Sequence, residues 1–212
     1  IPSASARFQG LYIGANLGAM LLKGSHKYTN ASPKEGKVEL NNMTYIGGLQ
    51  GGYMHYFADS KIIAGAELGF SISGLNLNQN LQIDGSPIEG KVNIKQNYKF
   101  GFSLFVGMAI NPKVMAYGKL GIESNKFTLN YTNLTFQTPS YEKYTASVRG
   151  IAPGAGIYYK LSPNLFAGGE YNYCFAKKVQ PRKDTVMVNG AYRGYSFTPI
   201  QHRVVARIIR IF

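Results

Sequence analysis

The stretch Tyr98-Lys99-Phe100-Gly101-Phe102-Ser103-Leu104-Phe105-Val106-Gly107-Met108-Ala109-Ile110 decides the fold. Tyr98, Phe100, Phe102, Leu104, Val106, Met108 and Ile110 share one parity, against Lys99, Gly101, Ser103 and Gly107 on the other. A period of two sends successive side chains to opposite faces of a β-strand. One face is therefore bulky and apolar, and the other is small or charged. The same alternation recurs outward in both directions. From Leu11 to Leu21 every odd position is aliphatic, against Tyr, Gly, Asn, Gly and Met. A run over 43–57 sets Leu49 and Tyr53 against Gly48, Gln50 and Gly52. Ile62, Ala64, Ala66, Leu68, Phe70 and Ile72 oppose Gly65, Glu67, Gly69, Ser71 and Ser73. Val114, Ala116, Leu120 and Ile122 oppose Tyr117, Lys119, Gly121 and Glu123. Over 144–159, Ile151, Ala155, Ile157 and Tyr159 oppose Gly154, Gly156 and Tyr158. Leu165, Ala167, Tyr171, Tyr173 and Phe175 oppose Gly168, Glu170 and Asn172, and an eighth run covers 196–212.

The connectors alternate in length. Ala58-Asp59-Ser60-Lys61, Asn111-Pro112-Lys113 and Leu161-Ser162-Pro163-Asn164 carry good turn chemistry. Segments 23–42, 78–95, 125–143 and 176–195 are long and polar and read as loops, although apolar residues recurring from Ile72 to Ile83 and from Val92 to Tyr98 would let the third and fourth strands continue outward as a hairpin. Short turns at one end and long loops at the other mark an up-and-down barrel of an outer membrane. The expectation is an all-β chain forming one eight-stranded antiparallel up-and-down transmembrane β-barrel over 8–212, behind a short tail at 1–7. Bulky residues on one face and glycines and charges on the other fit lipid outside and a polar lumen, the reverse of a lipocalin. Tyr45, Tyr53, Phe57, Tyr98, Tyr159, Tyr171 and Phe212 read as interfacial girdles.

Composition agrees. Among 212 residues, 45% are hydrophobic, which argues against disorder. Tyr (16), Phe (12) and Gly (25) are abundant, while charged residues make up 16%. The single Cys174 excludes an internal disulfide and a cysteine zinc site. No apolar stretch reaches the roughly 18 residues of a transmembrane helix. The chain starts at Ile1, and Ala4-Ser5-Ala6 has the form of a signal-peptidase site, so the first residues read as a leader remnant of an exported protein. At the other end, the strand-like run from His202 to Phe212 leads to the expectation that the last residue is itself part of the structure.

Three groups of residues carry a family resemblance. Gly10-Leu11-Tyr12-Ile13-Gly14-Ala15-Asn16-Leu17-Gly18 and Gly48-Leu49-Gln50-Gly51-Gly52-Tyr53 resemble the opening strands of the bacterial OmpA-like superfamily of small outer-membrane barrels, the OmpX/opacity type. Leu161-Ser162-Pro163-Asn164-Leu165 with Gly169-Glu170-Tyr171-Asn172-Tyr173 is similar to its sixth turn and seventh strand. Phe212 resembles the C-terminal signal read by the barrel-assembly machinery, although Arg210 departs from the aromatic often found there. The resemblance implies a lumen closed by charged side chains.

The residues lead to the same expectation. Glu67, Lys119 and Glu170 each lie five positions beyond the start of their strands, and Arg207 lies five before Phe212. They fall at similar heights, and charges in a narrow desolvated lumen pair because an unpaired one is costly. Glu123 and Arg203, nine positions from the same rim, form an expected second layer. The set reads as a structural plug, with a gated ion path as the functional alternative.

Enzymatic chemistry has little support. His26, Asp84 and Ser86 fall in predicted loops with no fixed spacing, His55 lies on the lipid face and His202 on the last strand. No metal cluster, phosphate loop or nucleophile elbow occurs, so no catalytic residue, metal or cofactor is expected. The predicted loops hold thirteen Lys and Arg against six Asp and Glu, within a net charge of +13. The aromatics lie on the lipid face, which argues against nucleic acid. Expected partners are outer-membrane lipids and lipopolysaccharide, the assembly machinery, and host ligands or anionic glycans. The expected role is a non-enzymatic surface protein, structural or adhesive, with long loops extracellular and termini periplasmic. A low-conductance pore and a lipid A-modifying barrel are the alternatives.

Overall fold

The computed structural model describes residues 8–29, 35–57, 60–81, 90–133, 140–178, 187–188, 191–192 and 194–212. The expected tail at 1–7, and with it the proposed leader remnant, lies outside them. One antiparallel sheet closes on itself. Its strands are β1 (Gly10–Thr29), β2 (Glu35–Phe57), β3 (Ile62–Ser73), β4 (Asn76–Leu81), β5 (Gly90–Asn111), β6 (Val114–Asn133), β7 (Ser140–Lys160), β8 (Leu165–Ala176) and β11 (Gly194–Ile211). The strands β9 (Met187–Val188) and β10 (Ala191–Tyr192) form a separate small hairpin. The order is β3-β2-β1-β11-β8-β7-β6-β5-β4, with β3 also pairing with β5 to close the ring. The third of the eight staves is split into β3 and β4 at Gly74–Leu75.

Two of the short connectors, Asn111–Lys113 and Leu161–Asn164, lie fully within the described residues and are tight, as their chemistry predicts. Asn111 accepts the Lys113 N–H on Oδ1 at 2.8 Å, and the Leu161 N–H donates to the Leu165 carbonyl at 2.9 Å. Phe212 donates its N–H to the Leu11 carbonyl at 2.9 Å, joining the last residue to the first strand. Gly10 holds a φ of +136° beside it, and a Cβ there would meet the Phe212 carbonyl.

The long segments correct the sequence reading. Positions 23–29 and 35–42, expected in a loop, continue β1 and β2 in unbroken register from Lys23↔Asn41 to Thr29↔Glu35. Residues 90–95 pair with β4 and β6, and 125–133 pair with β5 and with 140–148 of β7. They read as loops because their exposed positions are polar, among them Lys23, Glu39, Asn41, Lys91, Lys95 and Lys143. The inward positions keep a period of two: Leu22, Leu40, Leu77, Val92, Ile94, Phe127, Leu129 and Val148 are all buried.

The polarity of the two faces thus inverts along the barrel. On β5 the outward Tyr98 to Ile110 run is exposed and apolar. Thirteen residues at strand rise and a tilt near 45° span about 30 Å, enough for an apolar band of about 25 Å. Above a bulge between Gln96 and Tyr98 the parity shifts, so Lys91, Asn93, Lys95 and Asn97 point outward over buried Val92 and Ile94. Lipid solvates the lower part, so apolar groups face out. Water solvates the upper part, and apolar groups turn in.

This upper part, the crown, is not a closed cylinder among the described residues. Above Ile46, β2 pairs only with β1, and above Gly150, β7 pairs only with β6. Before Ile200, β11 pairs only with β1. A three-stranded sheet (β11-β1-β2) therefore faces a four-stranded one (β4-β5-β6-β7). Their shared core includes Met20, Leu22, Leu40, Leu77, Ile94, Phe127 and Phe197. Phe127 and Phe197 meet edge to face at 5.6 Å. On the outside, the Asn93 amide donates to the side-chain oxygens of Asn76 and Asn78, each at 2.6 Å.

Candidate functional site

The lumen is the site that the sequence singles out, and the short turns position it by fixing the register of every strand. Glu67 on β3, Lys119 on β6, Glu170 on β8 and Arg207 on β11 all point inward and meet. Lys119 Nζ lies 2.7 Å from Glu170 Oε1 and 3.5 Å from Glu67 Oε1. The Arg207 guanidinium bridges the two carboxylates, one through each terminal nitrogen. Its Nη1 also donates to Tyr117 Oη at 3.1 Å. Tyr117 donates in turn to Glu170 Oε2 at 2.6 Å, and Tyr12 to Glu67 Oε2 at 2.8 Å. Asn172 donates to Glu170 Oε1 at 2.7 Å. Two acids and two bases make a neutral, hydrogen-bonded layer, the arrangement that lowers the cost of burying charge.

Glu123 and Arg203 pair above it at 2.7 Å. Lys99 joins them, 3.1 Å from Glu123 Oε1. Sequence reasoning placed Lys99 on the inward face but did not count it into the layer. Its distance from the end of β5 is offset by a second register irregularity between Ala109 and Asn111. The network tyrosines Tyr12 and Tyr117 have the same inward parity as the charges, which is the available signal for them, and Tyr158 stacks on Tyr117 with ring centres 5.3 Å apart. Glycine makes room for two of these rings: a Cβ at Gly52 would press on Tyr12, and one at Gly156 on Tyr117. A polar cavity of about 50 Å³ is lined by both charged layers.

The lumen is less polar than its sequence reading. Amides form the next level, where Gln201 donates to Gln96 at 3.3 Å and Gln96 to Asn125 at 3.0 Å. The crown core lies above. Below the first charged layer, Phe8, Met54, Ile63, Phe105, Met115, Phe166 and Ile211 form a second apolar cluster. Phe8 packs against Phe166 with ring centres 5.3 Å apart and planes tilted by 44°, and it caps the terminus end. The correction follows from geometry. A strand's inward face must pack against something at every level, and charges suffice only where partners align.

The remaining singled-out residues are scattered. The side chain of His26, and Asp84 and Ser86 entirely, lie outside the described residues. His55 points outward and meets Phe57 edge to face at 4.6 Å. His202 also faces outward, with Nδ1 2.8 Å from Tyr171 Oη. That contact pairs the Tyr171 hydroxyl with one ring nitrogen of His202 on the outer face. Cys174 is buried on the lumenal face. Phe212 is 66% exposed in the outward register, with the Arg210 guanidinium 5.6 Å from its ring centre.

A closed antiparallel ring with an apolar exterior and a charged interior is that of an outer-membrane barrel. The chain belongs to the outer membrane protein beta-barrel domain family, whose model matches residues 2–201. Solved structures share the fold at low identity. The outer membrane protease OmpT from Escherichia coli is similar at 8% identity, covering 96% of this chain and 97% of that one, with a TM-score of 0.59. The outer membrane protein OprG from Pseudomonas aeruginosa is similar at 16% identity, covering 97% and 98%, with a TM-score of 0.56. No curated protein matches the chain.

Proposed function

We propose that the protein is a non-enzymatic surface barrel of the bacterial outer membrane. Its lumen is a structural plug, and its crown projects outward to contact anionic ligands of a host or environmental surface. The termini then face the periplasm, and lipopolysaccharide surrounds the crown's base. One observation carries the reading: the lumen is filled from end to end by an apolar layer, two ionic layers, an amide layer and a second apolar core. Such a lumen leaves no room for a solute path, and the described lumen supplies no nucleophile with a base. The crown, by contrast, is ordered β-structure reaching roughly 15–20 Å beyond the apolar belt. Its outward Lys91, Lys95 and Lys143 are exposed. A rigid, basic, elevated surface suits charge-complementary contact.

The cavity between the ionic layers supports a second reading, a low-conductance pore in which those layers rearrange. Phe212 serves as the assembly signal in either case. The test of the adhesive role is binding of the folded barrel to heparin-coated and bare surfaces. Lys91→Gln, Lys95→Gln and Lys143→Gln together should abolish salt-sensitive retention on heparin. Unchanged retention, or none by the unmodified barrel at physiological salt, would leave a structural role alone.

A further inference from the structure

Lys126, Arg149 and Lys177 form an oblique row on the outer surface of three neighbouring staves. The Lys177 N–H donates to the Arg149 carbonyl at 3.0 Å, so these two cations are direct cross-strand neighbours. Lys126 faces Ser147 on β7, which sets it diagonal to Arg149 on the same face. The ion pairs of Glu67, Lys99, Lys119, Glu123, Glu170, Arg203 and Arg207 lie in the lumen, and none involves this row. The residue opposite Arg149 on β6 is Ser124, which brings no charge. Like charges opposite one another on a sheet repel, so the row is unfavourable until an anion neutralises it.

Its height says which anion. Directly below it are Ile122, Ile151 and Phe175, all exposed at the upper edge of the apolar belt. Tyr98 lies at the same edge, and its ring centre is 5.3 Å from Lys126 Nζ. That cation–π contact holds the ammonium at the interface. An amphiphile whose phosphate meets the row lays its acyl chains over the apolar residues beneath. A soluble anion gains only the charges.

We infer that Lys126, Arg149 and Lys177 form a headgroup site for a phosphorylated lipid of the crown-side leaflet. The inference deepens the lipid contact proposed above and rests on that placement of the crown. It is independent of the adhesive role, because the crown lysines of that role lie higher.

The test compares two folded triple variants that lose equal charge. One carries Lys126→Gln, Arg149→Gln and Lys177→Gln; the other carries Lys91→Gln, Lys95→Gln and Lys143→Gln. Both are titrated in neutral detergent with bisphosphorylated lipid A, with a dephosphorylated counterpart and with inorganic pyrophosphate. Binding is read by native mass spectrometry, and folding is checked by heat-modifiable migration. At roughly fivefold per cation, the first triple should weaken lipid A binding by about 100-fold. The second should change it by less than about threefold, and the dephosphorylated lipid should bind the unmodified barrel like the first triple. Equal losses in both triples would replace the site with diffuse attraction. Pyrophosphate binding as tight as lipid A would make it a soluble-anion site, and retention of affinity by the first triple would remove it.

Discussion

Arg207→Met removes the one side chain that joins both carboxylates of the lower ionic layer. Arg207 is 5% exposed, and Glu67 and Glu170 are 7% and 5% exposed. With Arg207 gone, Lys119 alone serves both acids, at 2.7 and 3.5 Å. The layer passes from neutral to one net negative charge in a buried site. Stranding a buried charge costs about 3–5 kcal/mol. That is roughly a 150- to 5,000-fold change in the folding equilibrium. Methionine fills much of the arginine stem, so most of the loss is electrostatic rather than a cavity effect. Adding Glu170→Gln restores neutrality, leaving Lys119 with Glu67, and the double variant should regain about 2 kcal/mol. The assay is urea unfolding of the barrel in lipid vesicles, followed by heat-modifiable migration and β-type circular dichroism. A double variant no more stable than Arg207→Met would refute the reasoning, as would a loss below about 1 kcal/mol in the single variant.

Phe212→Ala should lower insertion in cells more than it lowers the stability of refolded protein, measured by outer-membrane yield against urea midpoint; equal effects would argue against a recognition role. Cys174, 1% exposed on the lumenal face, should react with a membrane-permeant maleimide only after unfolding, and labelling of the folded barrel would contradict its register. In a Cys174→Ser background, spin labels at Phe100 and Val106 should be accessible to oxygen dissolved in lipid, and labels at Lys91 and Lys95 to a water-soluble nickel chelate. The opposite pattern would displace the crown from the aqueous side.

Much of the barrel is legible in the sequence for a simple reason. In the membrane each strand has two contrasting solvents, and the alternation is strongest where solvent decides both faces. The meeting of Glu67, Lys119, Glu170 and Arg207 was readable because tight turns set a common zero for counting along neighbouring strands. Lys99 escapes because the register irregularity between Ala109 and Asn111 on β5 shifts that count. The crown escaped for another reason. From Val92 to Tyr98 the recurring apolar residues suggest an outward hairpin, which β4 and the start of β5 form, but Lys91, Asn93, Lys95 and Asn97 dominate the local impression and hide the inward turn of the apolar face. Polar residues on the outside of a water-facing sheet and polar residues in a loop have the same composition. Only the continued period of two, carried through Ile94, Phe127 and Val148, separates them. The apolar floor built on Phe8, Phe105 and Phe166 was likewise hidden, because each of these residues occupies an inward position that parity alone assigns to a polar lumen.

Single-channel recording across a planar bilayer tests the sealed lumen most directly. With its ionic layers paired and both ends packed with apolar side chains, the unmodified barrel should show no steady ohmic conductance in concentrated potassium chloride. A large, constant conductance comparable to that of a general porin would contradict the account.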